Sequence, residues 1–409
     1  KRTCFYGESG GQVSDTGMII GDTFKARVVD VFKGPNGQHI HKVKLLDGVI
    51  HVNDDVEVMI DKARRKEIEA NHSSVHLLQY ALRQIVDKDV KQAGSYVDEN
   101  KLRFDFTCPS KISNDELVRV EELVNNIIKK HVITSTEVMP LDKAKELGAI
   151  ALFGEKYQDL VRVVKIDKSI ELCGGTHVAN TKDIDSFAIF NFESKGSNTY
   201  RIEAVTGKKI EGTLFSIIKP YNDEMIKLLI KAKEILDLAK KNGFVLDFDV
   251  EIDNSKPTSY KDIIFNQNEL SYIQSEVKTL EKNYNTALEK KTLEDLDQYK
   301  EQIKVINNKE LLYVELNNKE MFIVKSLADN LCNMSKEILV FLANIKEDNS
   351  VNIICRNSIP SLNAGYIVKS ATVNYGGNGG GSATFAQGGI KDKKHLEEIK
   401  KELEDILNA

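Results

Sequence analysis

The sequence predicts an α+β protein made of several small domains, and three observations predict it. Short β-rich runs broken by turn signals fill residues 1–60, and strands then alternate with amphipathic helices as far as 213. A lysine-rich helical stretch follows, and strands and helices alternate again over residues 301–409. The 409 residues correspond to roughly two to three domains. Hydrophobic residues make up 41% and charged residues 29%, enough for a buried core under a well-charged surface. A net charge of −5 gives no bulk electrostatic reason to bind nucleic acid, so an RNA site would have to be a local basic patch. No apolar run approaches the ~20 residues of a membrane span, and no secretory signal is present. Five scattered cysteines fit a reducing compartment, so a cytoplasmic location is expected. The chain starts at Lys1 rather than methionine, which favours an excised fragment.

The elements follow in order. Within 1–60 the runs 25–31, 40–46 and 49–52, separated by Gly34-Pro35-Asn36-Gly37 and Asp47-Gly48, suggest a small, partly closed β-barrel. In 61–213, Ile68, Val75, Leu78, Leu82 and Ile85 recur at helical spacing and predict one long helix over 61–86. A strand at 101–106 precedes a helix over 113–130, where Ser113 and Glu116 form a capping-box signature. Strands are expected at 160–166, 187–193 and 200–205. In 214–300, helices over 223–241 and 268–292 are expected. The seam Leu270, Ile273, Val277, Leu280, Tyr284 and Ala287 fits either an antiparallel helical hairpin or an intermolecular coiled coil that would make a homodimer. In 301–409 an α/β domain is expected, with a hairpin of 311–316 and 321–324 turning at Asn317-Asn318. Strands at 338–342 and 351–355 and helices over 325–333 and 391–407 complete it.

Two constellations could carry chemistry. His72 and His76 lie one turn apart on the predicted long helix, so both imidazoles reach one point. Cys173 and His177 repeat that spacing around two glycines that allow a tight turn. Three imidazoles and a thiolate suit zinc. An H-x-x-x-H pair also arises by chance, so from residue types alone a metal site and a coincidence stand level. No glutamate follows His72, which excludes the metalloprotease motif. The second constellation is the glycine run from Gly376 to Gly381, with Lys391 just beyond it. Read as a loop between strand and helix, its amides would form a phosphate-facing nest, and Gly379, Gly380, Gly381 and Lys391 are the candidate RNA contacts. A flexible linker is the plainer reading. Gly10-Gly11-Gln12 alone would be an ordinary turn.

Together these residues resemble a known family. The segments Phe5 to Val13, Asn71 to Leu78, Arg103-Phe104-Asp105, Cys173-Gly174-Gly175-Thr176-His177 and Arg201 to Gly207 resemble alanyl-tRNA synthetase, in the order found downstream of its aminoacylation domain. The run ending Phe385-Ala386-Gln387-Gly388-Gly389 resembles the glycine motif of its C-terminal domain. The resemblance implies an editing domain over 61–213, with the barrel of 1–60 as part of the editing region, that hydrolyses Ser-tRNA(Ala) and Gly-tRNA(Ala). A C-terminal domain that binds tRNA(Ala) and often dimerises would follow the helical linker. His72, His76, Cys173 and His177 match the family's zinc positions, and Gln92 matches a glutamine of the editing pocket. Gly10, Gly11 and Gln12 would line that pocket. The aminoacylation half would lie upstream of Lys1. Val75 stands where many members have threonine, leaving Ser73, Ser74 or Gln92 to sense a serine hydroxyl.

Such a pocket answers a physical need. An alanine pocket cannot exclude smaller glycine and rejects serine only by about 10²-fold. Four protein ligands would close a tetrahedral site, so either His177 yields a position or zinc only positions the RNA end. Two further readings are a free-standing trans-editing deacylase of the same family and a tRNA-binding module whose zinc is purely structural.

Overall fold

Side chains that alternate between buried and exposed build the first sheet of this computed structural model, which describes residues 2–151, 157–253, 255–294 and 296–408. Strands β1 (Gly17–Gly21), β2 (Phe24–Lys33), β3 (His39–Gly48) and β4 (Val56–Ile60) pair antiparallel in the order β3-β2-β1-β4. Phe24, Ala26 and Val28 face inward while Lys25 and Arg27 face solvent. Among the described residues β3 and β4 do not pair, so the sheet is open where a barrel was expected. Four strands are too few to wrap a packed interior. The run 49–52 lies between strands, and the fourth strand begins at Val56.

Asp61 then caps α1 (Lys62–Ile85), its carboxylate accepting from the amides of Ala63 and Arg64 at 3.1 Å. From Ala70 to Leu78 every residue of α1 is buried, so the helix runs through the unit rather than along its surface. The loop before β1 is tied to the start of α1 by an ion pair between Asp15 and Arg65 and by Arg64 Nη1 donating to Ser14 O at 2.6 Å. Strands β5 (Lys91–Val97) and β6 (Leu102–Thr107), helix α2 (Asn114–Ile128), strand β7 (Ser135–Pro140) and helix α3 (Leu141–Glu146) follow. Strands β8 (Leu160–Ile166), β9 (Ser169–Leu172), β10 (Phe187–Gly196) and β11 (Thr199–Thr206) complete two more antiparallel sheets, β10-β11-β6-β5 and β7-β8-β9. Ser113 and Glu116 form the expected capping box of α2. Helices α1 and α2 close one core with the four-stranded sheet, around Leu78, Leu82, Phe104, Phe106, Val120 and Val124.

By contact the chain divides into two units, Lys1–Lys227 with Glu251–Ile273 and Leu228–Val250 with Gln274–Ala409. Helices α4 (Ile210–Lys241) and α5 (Tyr260–Glu294) pass through both and start earlier than their periodicity suggested. In the second unit Lys231 pairs with Glu281 at 2.8 Å, Asn242 Nδ2 donates to Tyr284 at 3.1 Å, and Lys291 donates to Asn242 O at 2.7 Å. Partner numbers rise together, so the two helices run parallel within one chain instead of forming an antiparallel hairpin. Val277 and Leu280 of the seam are buried there.

The rest of the second unit comprises α6 (Asp297–Lys300), β12 (Lys304–Ile306), β13 (Lys309–Asn317), α7 (Met321–Cys332), β14 (Ile338–Ile345), β15 (Val351–Asn357), α8 (Ala364–Val373), β16 (Asn378–Gly381), β17 (Phe385–Ile390) and α9 (Leu396–Asn408). Its sheet runs β12-β13-β14-β15-β17-β16, with β13 and β14 parallel across α7. Residues 321–324 therefore open a crossover helix and not the return strand of a hairpin. The glycine run is also not a loop: Asn378 to Gly381 pair with β17 as the edge strand. A Cβ on Gly379 would stand 2.7 Å from Val368 Cγ1, so bare glycines are what let α8 lie against this edge. Among the described residues no helix is long and apolar enough to cross a membrane.

In the first unit Glu121 of α2 is buried, and its carboxyl accepts from Ile189 N at 2.7 Å and from Tyr260 N, the first residue of α5, at 3.0 Å. Burial outweighs these donors and pushes its pKa up to about 8. The folded chain thus keeps a proton that the unfolded chain releases near 4.5, and the stability from that proton is lost as pH rises through about 8. Urea melts from pH 5 to 8.5 should show Glu121→Gln flattening this decline, whereas an equal decline in both proteins would remove Glu121 as its source.

Candidate active site

The site is assembled from three segments distant in sequence. Helix α1 contributes His72 and His76, the turn after β9 contributes Cys173 and His177, and the glycine loop before β1 contributes Gln12. One ligand atom from each of His72, His76, Cys173 and His177 lies within 4.8 Å of the others. Nε2 of His72 stands 3.5 Å from Cys173 Sγ, and Nε2 of His177 stands 3.3 Å from it. Tetrahedral nitrogen and sulfur ligands of zinc, about 2.0–2.3 Å from the ion, would be roughly 3.3–3.6 Å apart. Donor types and spacing both fit the ion.

Two of the three imidazoles, His72 and His177, are held from behind. Gln12 is fully buried, and its Oε1 lies 2.7 Å from Nδ1 of His72 while accepting from Thr176 N at 2.9 Å. Its Nε2 donates to Thr176 Oγ1 at 3.0 Å. With a hydrogen on Nδ1 for Gln12, His72 presents Nε2 as a lone pair toward the sulfur. Ser73 Oγ lies 3.2 Å from Nδ1 of His177, so that ring, expected to be the one that yields, is contacted at both nitrogens. Glu171 Oε2 stands 3.3 Å from Nδ1 of His76, off the angle of a hydrogen bond. Burial pushes His72 down to about 4, with the Arg162 charge adding to it, and pushes His76 and His177 well below the usual imidazole range. Burial also raises Glu171 to about 8, so that pair is neutral at pH 7. Neutral imidazole is the ligating form.

The turn carrying Cys173 is fixed by Arg162 of β8, whose Nη1 donates to Cys173 O at 2.7 Å and Gly175 O at 2.8 Å. Gly175 N points at Cys173 Sγ from 3.4 Å. A Cβ on Gly175 would stand 2.0 Å from His72 Cε1, so any side chain there would displace the imidazole. Gly11 has φ +82°, and a Cβ on it would stand 2.4 Å from Ser95 O.

His72, His76 and Cys173 form part of the wall of a cavity of about 440 Å³, together with Tyr6, Gly10, Val75, Gln92 and Arg162. Gly10 and Gln92 therefore line the cavity beside the cluster. Gly11 and Gln12 stand behind the wall, where they pack the loop and orient His72 rather than line the pocket. A bulge at Ala93 re-aims Gln92, whose Nε2 donates to Ser95 Oγ at 3.1 Å. Arg162 and Glu171 escaped the sequence reading. Arg162 has the visible signal of a charge between the core valines Val161 and Val163 of β8. In the second unit Gly379 and Gly380 share a shallow depression with Lys325, Asn352 and Gln387, while Gly381 and Lys391 lie outside it.

Three family models match this chain. "tRNA synthetases class II (A)" matches residues 1–64, "Threonyl and Alanyl tRNA synthetase second additional domain" matches 161–203, and "DHHA1 domain" matches 308–409. The alanine--tRNA ligase of Listeria monocytogenes serotype 4b is 35% identical over 401 residues, covering 97% of this chain and 42% of that protein. That of Halalkalibacterium halodurans is 34% identical over 403 residues, with the same coverage. A crystal structure of the C-Ala domain from Aquifex aeolicus alanyl-tRNA synthetase is 29% identical and covers 26% of this chain and 98% of its own, with a TM-score of 0.25. The chain thus spans under half the length of these curated relatives. With all three models and these relatives agreeing, the chain belongs to the alanyl-tRNA synthetase family and corresponds to the region downstream of its aminoacylation domain.

Proposed function

We propose that the first unit is an editing deacylase that hydrolyses Ser-tRNA(Ala) and Gly-tRNA(Ala) and spares Ala-tRNA(Ala). The observation that carries this reading is the cluster of three imidazoles and one thiol, of which His72, His76 and Cys173 line a cavity of about 440 Å³. His72, His76, Cys173 and His177 would hold zinc, which when bound acidifies water toward a pKa of about 7 and polarises a carbonyl. The protein's own groups do the rest. Gly10 leaves room for the RNA end, and Gln92 offers an amide to the aminoacyl group. Arg162 places a fixed positive charge beside the ester and keeps the Cys173 turn in position. Water supplies the oxygen that joins the carbonyl carbon and the proton that the freed ribose hydroxyl keeps. In the second unit the depression around Gly379 and Gly380, with Lys325 at its side, would contact tRNA.

A second reading, a tRNA-binding module with structural zinc, draws on one observation: four converging protein donors complete a tetrahedral set. Serine release from Ser-tRNA(Ala), beside Ala-tRNA(Ala) and a Cys173→Ala variant, separates the two. The editing reading expects fast serine release, retained alanine, and a loss of at least about 100-fold in the variant. Serine that stays attached while zinc is bound would favour the structural reading. Chelator competition adds a further check: Gln12→Ala should weaken zinc binding about 10- to 100-fold. Unchanged affinity would remove Gln12 from the support of His72.

A further inference from the structure

The segment between the two histidines on α1 offers a substrate no polar side-chain atom. Ser73 Oγ accepts from Val178 N at 3.1 Å and contacts His177, and Ser74 Oγ donates to Ala70 O at 2.8 Å. Val75 has no hydroxyl and forms part of the cavity wall. The Nε2 of Gln92 already donates to Ser95. Past His76, on the same face of α1, stands Gln79. It is 2% exposed, and among the described residues its Oε1 has no hydrogen-bond partner. A buried carbonyl oxygen without a donor is costly, and such an atom in a native fold calls for an explanation.

The surroundings of Gln79 supply one. It lines a side cavity of about 240 Å³ with Arg83, Lys91, Gln92 and Ile150. Arg83 is held by its Nη1 donating to Val90 O at 2.9 Å. Gln92 lines both this cavity and the larger one walled by His72, His76 and Cys173. The side cavity thus adjoins the candidate active site at Gln92, and Gln79 in its wall carries an amide oxygen that lacks a partner among the described residues.

We infer that Gln79 is the specificity-determining residue of the editing site, its buried amide pairing with the side-chain hydroxyl of a seryl group. The inference rests on the editing reading for the identity of the substrate. Its chemistry is a matter of which group occupies the side cavity. A seryl hydroxyl donates to Oε1 and satisfies it. An alanyl methyl displaces water from Oε1 and replaces it with nothing, so alanine is disfavoured. A glycyl group leaves the space to water and does not call on Gln79. Were the amide turned over, its NH₂ would meet the same hydroxyl as an acceptor, and the discrimination would be the same.

The test uses two probes that cannot be hydrolysed, 3′-amino-3′-deoxyadenosine carrying serine or alanine through an amide, titrated into the zinc-loaded full chain. The wild type should bind the seryl probe at least about 10-fold more tightly than the alanyl probe. Gln79→Leu, similar in size but without polar atoms, should bring that ratio near unity with zinc content unchanged, seryl affinity falling and alanyl affinity rising. Gln79→Glu, which keeps an oxygen at the same reach, should restore the seryl preference. On aminoacyl-tRNA, Gln79→Leu should lower kcat/KM for Ser-tRNA(Ala) about 10-fold and leave Gly-tRNA(Ala) alone. A seryl preference that survives Gln79→Leu, or serine and glycine activities that fall together, would overturn the assignment. So would a wild type that does not distinguish the probes, whatever its hydrolytic activity. A wild type that distinguishes the probes but hydrolyses neither ester would sink the deacylase reading and leave the role of Gln79 standing.

Discussion

Three neutral imidazoles and a thiol gathered in a largely buried space form the constraint on which the first unit depends. None of these side chains gains much from burial alone, and together they bring Nε2 of His177 and of His72 to 3.3 and 3.5 Å from Cys173 Sγ. A soft divalent cation would take the same nitrogen and sulfur atoms as its ligands. The surrounding structure is arranged accordingly. Gln12 contacts Nδ1 of His72, Ser73 contacts Nδ1 of His177, and Glu171 faces Nδ1 of His76. For His72 and His177 the second ring nitrogen faces Cys173 Sγ, the arrangement by which outer partners would fix the tautomer and ring plane of a metal-binding histidine, whereas Glu171 makes no hydrogen bond to His76.

That constraint reaches far along the chain. His72 can be fixed only if Gln12 arrives from a loop 60 positions earlier, and that loop is itself held by Asp15 against Arg65 of α1. Thr176 can meet the same glutamine only because Gly175 has no side chain to strike His72. Arg162 closes the circuit from β8 by holding the carbonyls of the Cys173 turn. The open first sheet, the buried helix and the three-stranded sheet are therefore a frame for one small cluster. The cavity beside the cluster inherits its shape from the same residues.

What was legible in the sequence follows from how local each signal is. The capping box of Ser113 and Glu116, the span of α1 and the strand at 160–166 depend on neighbours within a turn or a few residues, and the fold reproduces them. The two ligand pairs were visible because each is a local spacing, although their meeting is tertiary. The rest needed packing partners. Gln12 carries no local sign of its role, since its partners His72 and Thr176 are remote in sequence. The glycine run has no strand propensity and becomes β16 because α8 must approach that edge closely. Residues 321–324 are a short apolar run that periodicity cannot assign, and the parallel pairing of β13 with β14 turns them into a crossover helix. The direction of α5 relative to α4 was hidden for the same reason: a heptad seam records a buried face but not the orientation of its partner.

X-ray absorption at the zinc edge on the purified, metal-loaded chain examines the centre most directly. The account predicts one sulfur at about 2.3 Å and nitrogen scatterers at about 2.0–2.1 Å with the multiple-scattering pattern of imidazole, the sulfur shell disappearing in Cys173→Ala. Zinc bound without sulfur, or a sulfur shell that survives the loss of Cys173, would contradict the assignment of His72, His76, Cys173 and His177 as its ligands.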